Sequence, residues 1–440
     1  MYRTKDRQTG YLFSELFPFG GKLREDNRWL KIAGLIPWEE LEKDYAKHFS
    51  EGMGRPALDG RLTLGALMLR HMTGVSDEEI QRQIQENPYF QAFCGFENFQ
   101  TKRLFEGSSL SRVRKRVGAK LFREMETKTY RVLVEKKIIR GRGLMVDATV
   151  YPEDIKYPTD VGLLNRAREW LVKKIKVVGR WLARRPRTYS RKARQTYLMF
   201  SKKRQKTRKM VEKVKKALLQ YVRRNLKQME ELVGEAKRRG RVIGDEVVKR
   251  LEIVRRMYEQ QMEMYRKKVR QIGDRIVSLH KPMVRPIIRG KDGKKVEFGP
   301  KAALSHVDGF TFLDHVSHDN FNEAKWLDVQ VDNFVEKFGK KPAWCVGDNL
   351  YGNRENRGSL KEQCIRESFV PLGRRERAHV ENRRWRKKMN RKRNQIEGGI
   401  GHSKEHVLFR RIRYKIEEGA EIWLRLGLLG MNLATAAKKI

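Results

Sequence analysis

A helical segment of about 120 residues separates one β-type run of this sequence from all the later ones. Between residues 161 and 284, apolar residues recur at three-and-four spacing in two stripes, which predicts paired, coiled-coil-like helices. Gly234, Gly240 and Gly244 mark the bend between them. We therefore expect an antiparallel helical hairpin or small bundle inserted into an α/β chain. The stripes are Val211, Val214, Leu218, Val222, Leu226 and Met229, then Leu251, Val254, Tyr258, Met262, Tyr265, Val269 and Ile272.

The charge of the chain indicates its class of partner. The 440 residues have a formal net charge of +45, which attracts polyanions, so nucleic acid is the expected partner and a membrane surface the second choice. No stretch approaches the roughly 20 apolar residues of a membrane span, and the N-terminus lacks the apolar region of a secretory signal. Three scattered cysteines suggest neither a metal site nor a disulfide framework. We expect a cytoplasmic, nucleoid-associated protein.

The insert concentrates this positive charge. Its lysines and arginines are interleaved with Tyr189, Tyr197 and Phe200. The density of one sign indicates that part of the insert lies on phosphate. The alternative is a solvated charged face over an apolar seam.

Residues 1–137 read as a helical domain. One amphipathic helix is closed by Gly74, the next opens with a capping box at Ser76 and Glu79, and a basic third helix starts near Ser108 or Ser109. Short turns between such helices suit a helix-turn-helix-like DNA-binding module, and they suit equally a small helical bundle with no groove contact.

Three acids occupy unusual positions in the remaining regions, 138–160 and 285–440. Asp147 interrupts the apolar β-type run 144–150, Asp348 ends a second apolar strand, and Glu397 lies on a long helix from about residue 381 to 410. Acids beside buried strands are costly unless they are paired or bind a cation. Converging carboxylates would suit two Mg²⁺ ions, which assist in-line phosphoryl displacement.

The helix that carries Glu397 adds cations and glycines. Arg393 and Lys404 share a helix face with Glu397, so the acid could hold metal while the two cations hold phosphates. Gly398 and Gly399 would let a DNA strand approach the metal closely. The alternative is that these glycines simply end one helix.

The chain resembles DDE transposases of bacterial and archaeal insertion sequences, particularly the insertion-sequence-five family. The resemblance covers the N-terminal helices ("LTLGALMLRHMTGVSDEEIQRQIQENPYFQAFCG"), the first acid ("MVDATVYPEDIKYPTDVGLLNRARE"), the second ("GDNLYGNRENR") and the glutamate helix ("RNQIEGGIGHSK"). It implies a ribonuclease-H-like catalytic domain, a mixed sheet flanked by helices. In that domain Asp147, Asp348 and Glu397 are the catalytic, metal-binding residues.

The resemblance also implies an activity. Two Mg²⁺ ions, for which Mn²⁺ can substitute, would support hydrolysis at the element ends and strand transfer by the freed 3′-OH. A homodimer would hold terminal inverted repeats and target DNA. Arg393, Glu397 and Lys404 fit a tyrosine–arginine–glutamate–lysine signature, but Asn390 replaces its tyrosine. In some relatives the insert lies just before the glutamate helix. Its position here differs, and we suggest that it grips terminal-repeat DNA or a second subunit.

Four residues after the second acid are further candidates for DNA contact: Asn349, Tyr351, Arg354 and Arg357. The alternative is that they cap and solvate the next helix. His315 and His318 have ligand-like spacing, but no fourth ligand completes a zinc set. Two other functions stay open for the whole chain: a catalytically silent DNA-binding or architectural protein derived from a transposase, and a metal-dependent endonuclease without strand transfer.

Overall fold

The computed structural model describes residues 19, 23–50, 52, 54, 56–288, 296–370, 380–405 and 411–440, and all statements below concern these residues. They form a mixed α/β protein with a helical majority and a mixed sheet. The chain divides into two compact units. We call Met1–Pro152 with Pro300–Ile440 the sheet unit, and Glu153–Gly299 the helical unit.

The helices are α1 (Arg28–Ala33), α2 (Trp38–Ala46), α3 (Gly60–Thr73), α4 (Asp77–Glu86), α5 (Pro88–Phe93), α6 (Gly107–Glu135), α7 (Asp160–Trp181), α8 (Ser190–Ser201), α9 (Arg208–Arg238), α10 (Asp245–Lys267), α11 (Leu327–Phe338), α12 (Arg354–Glu362), α13 (Val380–Glu405) and α14 (Gly419–Ala437). The strands are β1 (Leu144–Val150), β2 (Pro286–Ile288), β3 (Val296–Phe298), β4 (Lys301–Val307), β5 (Phe310–Ser317), β6 (Trp344–Val346) and β7 (Arg366–Glu367). Short 3-10 helices cover Glu323–Trp326 and Asn349–Tyr351.

Five strands form the sheet of the sheet unit, in the order β5-β4-β1-β6-β7. β4 is antiparallel to β1 and to β5, whereas β6 is parallel to β1 and to β7. The central strand β1 is buried along its whole length except at Asp147, which is half-buried. Burial on both faces explains why its sequence is an apolar run instead of an alternating pattern.

The helical unit connects two strands that are neighbours in the sheet. Val150 at the end of β1 pairs with Lys301 at the start of β4, and the N–H of Tyr151 donates to the carbonyl of Pro300 at 3.0 Å. The chain therefore leaves and re-enters the sheet at adjacent positions. An insertion whose ends lie side by side disturbs the sheet little.

The sheet unit has one hydrophobic core. Buried side chains of the N-terminal helices, of the sheet and of α14 belong to a single cluster. α14 packs against α3, α6 and β5, which explains its almost uniformly apolar sequence. The N-terminal helices are thus not a separate compact unit, and the domain bounds inferred from the sequence stay a prediction.

The local helix signals of the N-terminal region are confirmed, with one exception. Gly74 ends α3 at φ 75°, and Ser76 accepts from the N–H of Glu79 at 3.1 Å. The basic helix α6, however, is broken at Gly118, where φ is 62° and ψ is −172°. The Glu418 carboxylate accepts from the N–H of Ala119 at 2.6 Å and caps the second half of α6. A carboxylate about 300 residues away gives no signal in the local sequence.

The helical unit contains α7 to α10, and α9 packs mainly against α7. Leu218, Val222 and Met229 of the first predicted stripe are buried in its core. The second stripe was predicted too long, because α10 ends at Lys267 and residues 269–272 lie beyond it. The predicted cap at 159 or 160 is Thr159, whose side chain accepts from the N–H of Gly162.

Asp160 has a different function in the helical unit: it joins three helices and a loop. Its carboxylate pairs with Lys215 of α9 at 2.9 Å and with Arg275, and it accepts from Gln261 of α10 at 3.1 Å. Burial opposes the ionisation of Asp160, but these partners outweigh burial and lower its pKa.

Candidate active site

The three acids lie on adjacent elements of the sheet unit. Asp147 lies within β1, Asp348 follows β6, and Glu397 lies on α13, which packs against both strands. β1 and β6 are parallel, with Leu144 opposite Cys345 and Met145 opposite Val346. Continuing this register by two residues aligns Asp147 with Asp348. The sheet and the helix packed on it therefore bring the three acids to one region.

The electrostatics of Asp147 indicate a cluster of negative charge. The pKa of Asp147 is raised to about 6, mainly by burial and in part by the charges of Glu323, Asp348 and Glu397, whereas a hydrogen bond from the N–H of Ala148 lowers it. Of these causes, the neighbouring negative charges would stabilise a bound cation, and burial would not.

Arg393 is the cation that the structure places against these acids. Its Nη2 lies 2.8 Å from Oε1 of Glu397, and its Nη1 lies 3.6 Å from Oδ1 of Asp348. The side chains of Asp348 and Glu397 are about half exposed. Arg393 thus bridges the second and third acids, whereas we predicted that it would bind phosphate.

A fourth carboxylate, Glu323, was missed from the sequence. It opens the 3-10 helix after β5, and it pairs with Lys301 Nζ at 2.7 Å. Lys301 also donates to the carbonyl of Phe321 at 2.9 Å. The sequence "NFNEAKWLD" reads as the start of an amphipathic helix, and no local pattern points to the distant acids.

The cluster is not a ready-made metal site. Across the described ranges, no group of three or more His, Cys, Asp and Glu side chains is arranged to hold a metal ion. Charge repulsion acts over longer distances than metal–ligand bonds. The acids can therefore repel Asp147 without lying close enough together to hold one metal ion. The acids are near one another, but their side chains do not converge on one point.

Comparison with known proteins identifies a family. A family model described as "Transposase domain (DUF772)" matches residues 17–116. The "Uncharacterized protein ORF8 in nfe locus" of Rhizobium meliloti is 35% identical over 153 residues, which are 34% of this chain and 73% of that protein. The chain belongs to a transposase family. No solved structure is significantly similar to it.

Membership in a transposase family suggests a DNA-processing enzyme. The matched segment, 17–116, ends within α6, so it does not include the three acids. None of the helices in the described part of this transposase-family chain is long and apolar enough to cross a membrane.

The residues that we predicted to contact DNA have very different environments. Asn349 and Arg354 are exposed, and Lys404 is on α13, although its side chain lies outside the described residues. Tyr351, for which we predicted a contact with DNA, is fully buried, and its ring belongs to the core.

Arg357, for which we also predicted a contact with DNA, makes internal contacts. Its guanidinium pairs with Glu367, donates to the carbonyls of Gly352 and Val370, and lies 5.6 Å from the Phe369 ring. Because all these contacts are internal, Arg357 holds the segment after β6 in place and does not present a free guanidinium to DNA.

The glycines after Glu397 lie inside a continuous helix, because α13 extends to Glu405. The interpretation that they end a helix is therefore wrong. A Cβ on Gly398 would meet no atom within 4 Å, whereas one on Gly399 would lie 3.6 Å from Thr311 Oγ1 and 3.7 Å from His306 Cε1. Packing thus does not require a glycine at 398, beside Glu397.

The histidines near the three acids contact neighbouring side chains of the sheet unit. His306 is buried, which lowers its pKa to about 4, and its Nδ1 lies 3.0 Å from Thr311 Oγ1. His315 stacks on Trp326 with ring centroids 3.5 Å apart. In the described part of the chain, neither belongs to a group that could hold a metal.

Proposed function

We propose that this chain is a DDE transposase of an insertion sequence. It would bind the terminal inverted repeats, cleave the DNA strand at the element ends by metal-dependent hydrolysis, and join the 3′-OH ends to target DNA. The observation that carries the proposal is that two neighbouring parallel strands and the helix packed on them bring Asp147, Asp348 and Glu397 to one region of the sheet unit. Membership in a transposase family gives the substrate class.

The strand order supports a ribonuclease-H-like assignment for the catalytic domain. Three strands follow one another in antiparallel pairs (β1, β4, β5), and two further strands, β6 and β7, add in parallel on the other side of β1. The resemblance implies a mixed sheet flanked by helices, with Asp147 on its first strand. The helical unit then interrupts this domain between its first and second strands.

Asp147, Asp348 and Glu397 would hold two Mg²⁺ ions, for which Mn²⁺ can substitute. The charges of Asp348 and Glu397 support this fit, because they contribute, after burial, to the raised pKa of Asp147 although Arg393 lies against both acids. Bound ions would stabilise the attacking and leaving oxygens of a phosphodiester. Arg393 would release its carboxylate contacts when the metal binds, and its guanidinium would then reach a phosphate.

Several surfaces would bind the DNA. The N-terminal helices would recognise the terminal repeats, and Asn349, Arg354 and Lys404 would contact DNA beside the acids. A homodimer would hold two element ends together, and the protein would be found with the nucleoid in the cytoplasm.

The proposal is tested by a cleavage assay on DNA that carries the sequences flanking this gene, with Mg²⁺ or Mn²⁺. Wild type is expected to nick the element ends specifically, and Asp348→Asn to lose this activity because a metal-binding carboxylate is removed. Glu355→Gln, an exposed acid at the start of α12, is the control and should cleave normally. Joining of a 3′-OH end to target DNA is the second readout.

Each outcome selects one function. Specific nicks with joining support a transposase, and nicks without joining support an endonuclease. DNA binding without cleavage, equal in wild type and Asp348→Asn, overturns the proposal and leaves a DNA-binding protein.

Gly398→Ala is expected to stabilise the fold by up to about 1 kcal/mol, because alanine has the higher helix propensity and its Cβ meets no neighbour. The same methyl group would slow end cleavage, since it occupies the space beside Glu397 that we assign to the DNA strand. Thermal unfolding and cleavage rates measure the two effects. Gly358→Ala in α12, where a Cβ also meets nothing within 4 Å, should stabilise without slowing cleavage. Wild-type cleavage by Gly398→Ala would refute the close approach of DNA.

A further inference from the structure

One stretch of the helical unit contains no acidic residue. Residues 170–211 include 16 lysines and arginines and no aspartate or glutamate, whereas the following residues 212–268 include 17 and 9. Both stretches form helices of the same unit. Folding into such helices therefore does not require the exclusion of acids, and the charge of residues 170–211 needs another explanation.

Most of these 16 cations are available to a partner. All except Lys174 are exposed. Among the described residues, only Arg184 and Arg208 pair with carboxylates, those of Glu235 and Glu212. An unpaired cationic surface destabilises a folded chain by self-repulsion, and a bound polyanion relieves this repulsion.

Helix α8 is at the centre of the acid-free stretch. Its buried residues, Ala193 and Phe200, lie seven positions apart and mark the face that packs on the core. Arg191, Lys192 and Arg194 are exposed on the rest of the helix surface. Basic loops precede and follow α8, with Arg184, Arg185 and Arg187 on one side and Lys202, Lys203 and Arg204 on the other.

The arginines beside α8 include two that an aromatic ring orients. The guanidinium groups of Arg187 and of Arg224 on α9 lie 4.7 Å and 4.5 Å from the centroid of the Tyr189 ring. Cation–π contacts restrict both guanidinium groups. Groups that are already ordered lose less entropy when they bind phosphate.

We propose that α8 and its flanking loops, which we call the α8 surface, bind the phosphate backbone of duplex DNA without reading its sequence. The α8 helix of 12 residues is about 18 Å long. Duplex DNA carries one charge per roughly 1.7 Å of its axis, so several phosphates lie within reach of this surface. The inference rests on the proposed function for its partner, DNA, but it does not depend on cleavage.

A second copy of this chain is a poorer partner for the α8 surface. The stretch 170–211 has no acid, so two copies of this surface repel each other. Leu198 and Met199 are exposed on α8, at 40% and 64%, but they are two apolar side chains among many cations. The observations therefore favour the polyanion.

The test compares two triple variants of the full chain that remove the same charge from the helical unit. The test variant carries Arg191→Gln, Lys192→Gln and Arg194→Gln in the α8 surface. The control carries Arg239→Gln, Arg255→Gln and Lys267→Gln, whose side chains pair with carboxylates at 2.6, 2.9 and 2.7 Å. Affinity for a random-sequence duplex is measured in chelator over a range of salt concentrations, and thermal melting checks that both variants fold.

We expect the test variant to bind at least about tenfold more weakly at physiological salt, and the slope of log K against log salt to fall by about 2 to 3. The control should change affinity by less than about threefold. Equal losses of DNA affinity in both variants would mean that affinity depends only on the net charge of the protein. An unchanged affinity of the test variant would mean that DNA binds elsewhere. Either result overturns the inference. Because no cleavage occurs in chelator, the binding test and the cleavage assay are independent. A negative binding result does not contradict the cleavage proposal, and a negative cleavage result does not contradict DNA binding by the α8 surface.

Discussion

Asp147→Asn is expected to abolish end cleavage and, at the same time, to stabilise the folded chain at pH 8. Asparagine keeps the shape of the side chain and can still accept from the N–H of Ala148. It removes the negative charge that metal binding needs. It also removes the cost of burying an ionised carboxylate, which is the main cause of the raised pKa of Asp147, and the repulsion from Glu323, Asp348 and Glu397. The same substitution would thus raise the stability of the folded chain and abolish its cleavage activity.

The size and pH dependence of this stabilisation follow from linkage. The pKa of Asp147 is about 6 in the folded chain and about 4 in an unfolded one. Its contribution to stability is therefore complete below about pH 4 and is lost as the pH rises through about 6. Above pH 6 the ionised carboxylate destabilises wild type by about 2–3 kcal/mol. Asp147→Asn should exceed wild type by that amount at pH 8 and match it near pH 4.

Denaturant unfolding in chelator at several pH values measures the stability, and the end-cleavage assay measures the chemistry. Asp332→Asn, an exposed acid on α11, is the control and should change neither. Cleavage by Asp147→Asn at the wild-type rate would exclude Asp147 from catalysis. Equal stabilities at pH 8 would show that neither burial nor the neighbouring carboxylates destabilise the ionised form of Asp147.

Asp77→Asn is expected to destabilise the chain by about 3–5 kcal/mol, because Asp77 is the carboxylate that pairs with two buried arginines among the described residues. Asp77 Oδ1 lies 2.9 Å from Arg70 Nε, and its other oxygen pairs with Arg114. The side chains of Arg70 and Arg114 are only 8% and 6% exposed. Arg114 also lies 4.2 Å from the centroid of the Tyr414 ring. One carboxylate therefore holds α3, α4, α6 and the segment before α14 together.

Equilibrium unfolding in denaturant measures this loss. Asp26→Asn is the matched control, since Asp26 pairs with Arg24 at 2.7 Å on the surface, where the two side chains are 63% and 78% exposed. An exposed pair contributes at most about 1 kcal/mol. A loss of less than about 1 kcal/mol for Asp77→Asn would contradict the view that Asp77 alone neutralises the two arginines.

Much of the fold follows from local sequence signals. Gly74 and Ser76 end and begin helices because the left-handed backbone conformation and the side-chain cap depend on a few neighbouring residues. The apolar run around Asp147 forms a central strand, since burial on both faces requires apolar residues. The position of the insert between β1 and the later strands could also be predicted, because helical and strand periodicities differ. The roles assigned to Asp147, Asp348 and Glu397 stay predictions.

The sequence by itself determined the helices, the central strand, the net charge and the elements that carry the three acids. Each of these depends on residues close together in the chain. Only the tertiary structure decided that Arg393 bridges Asp348 and Glu397, that Glu323 joins their cluster, and that Tyr351 belongs to the core. These features depend on pairs of residues that are distant in the sequence and are brought together by the sheet and by the helix packed on it. No local sequence pattern indicates which distant side chains will be in contact.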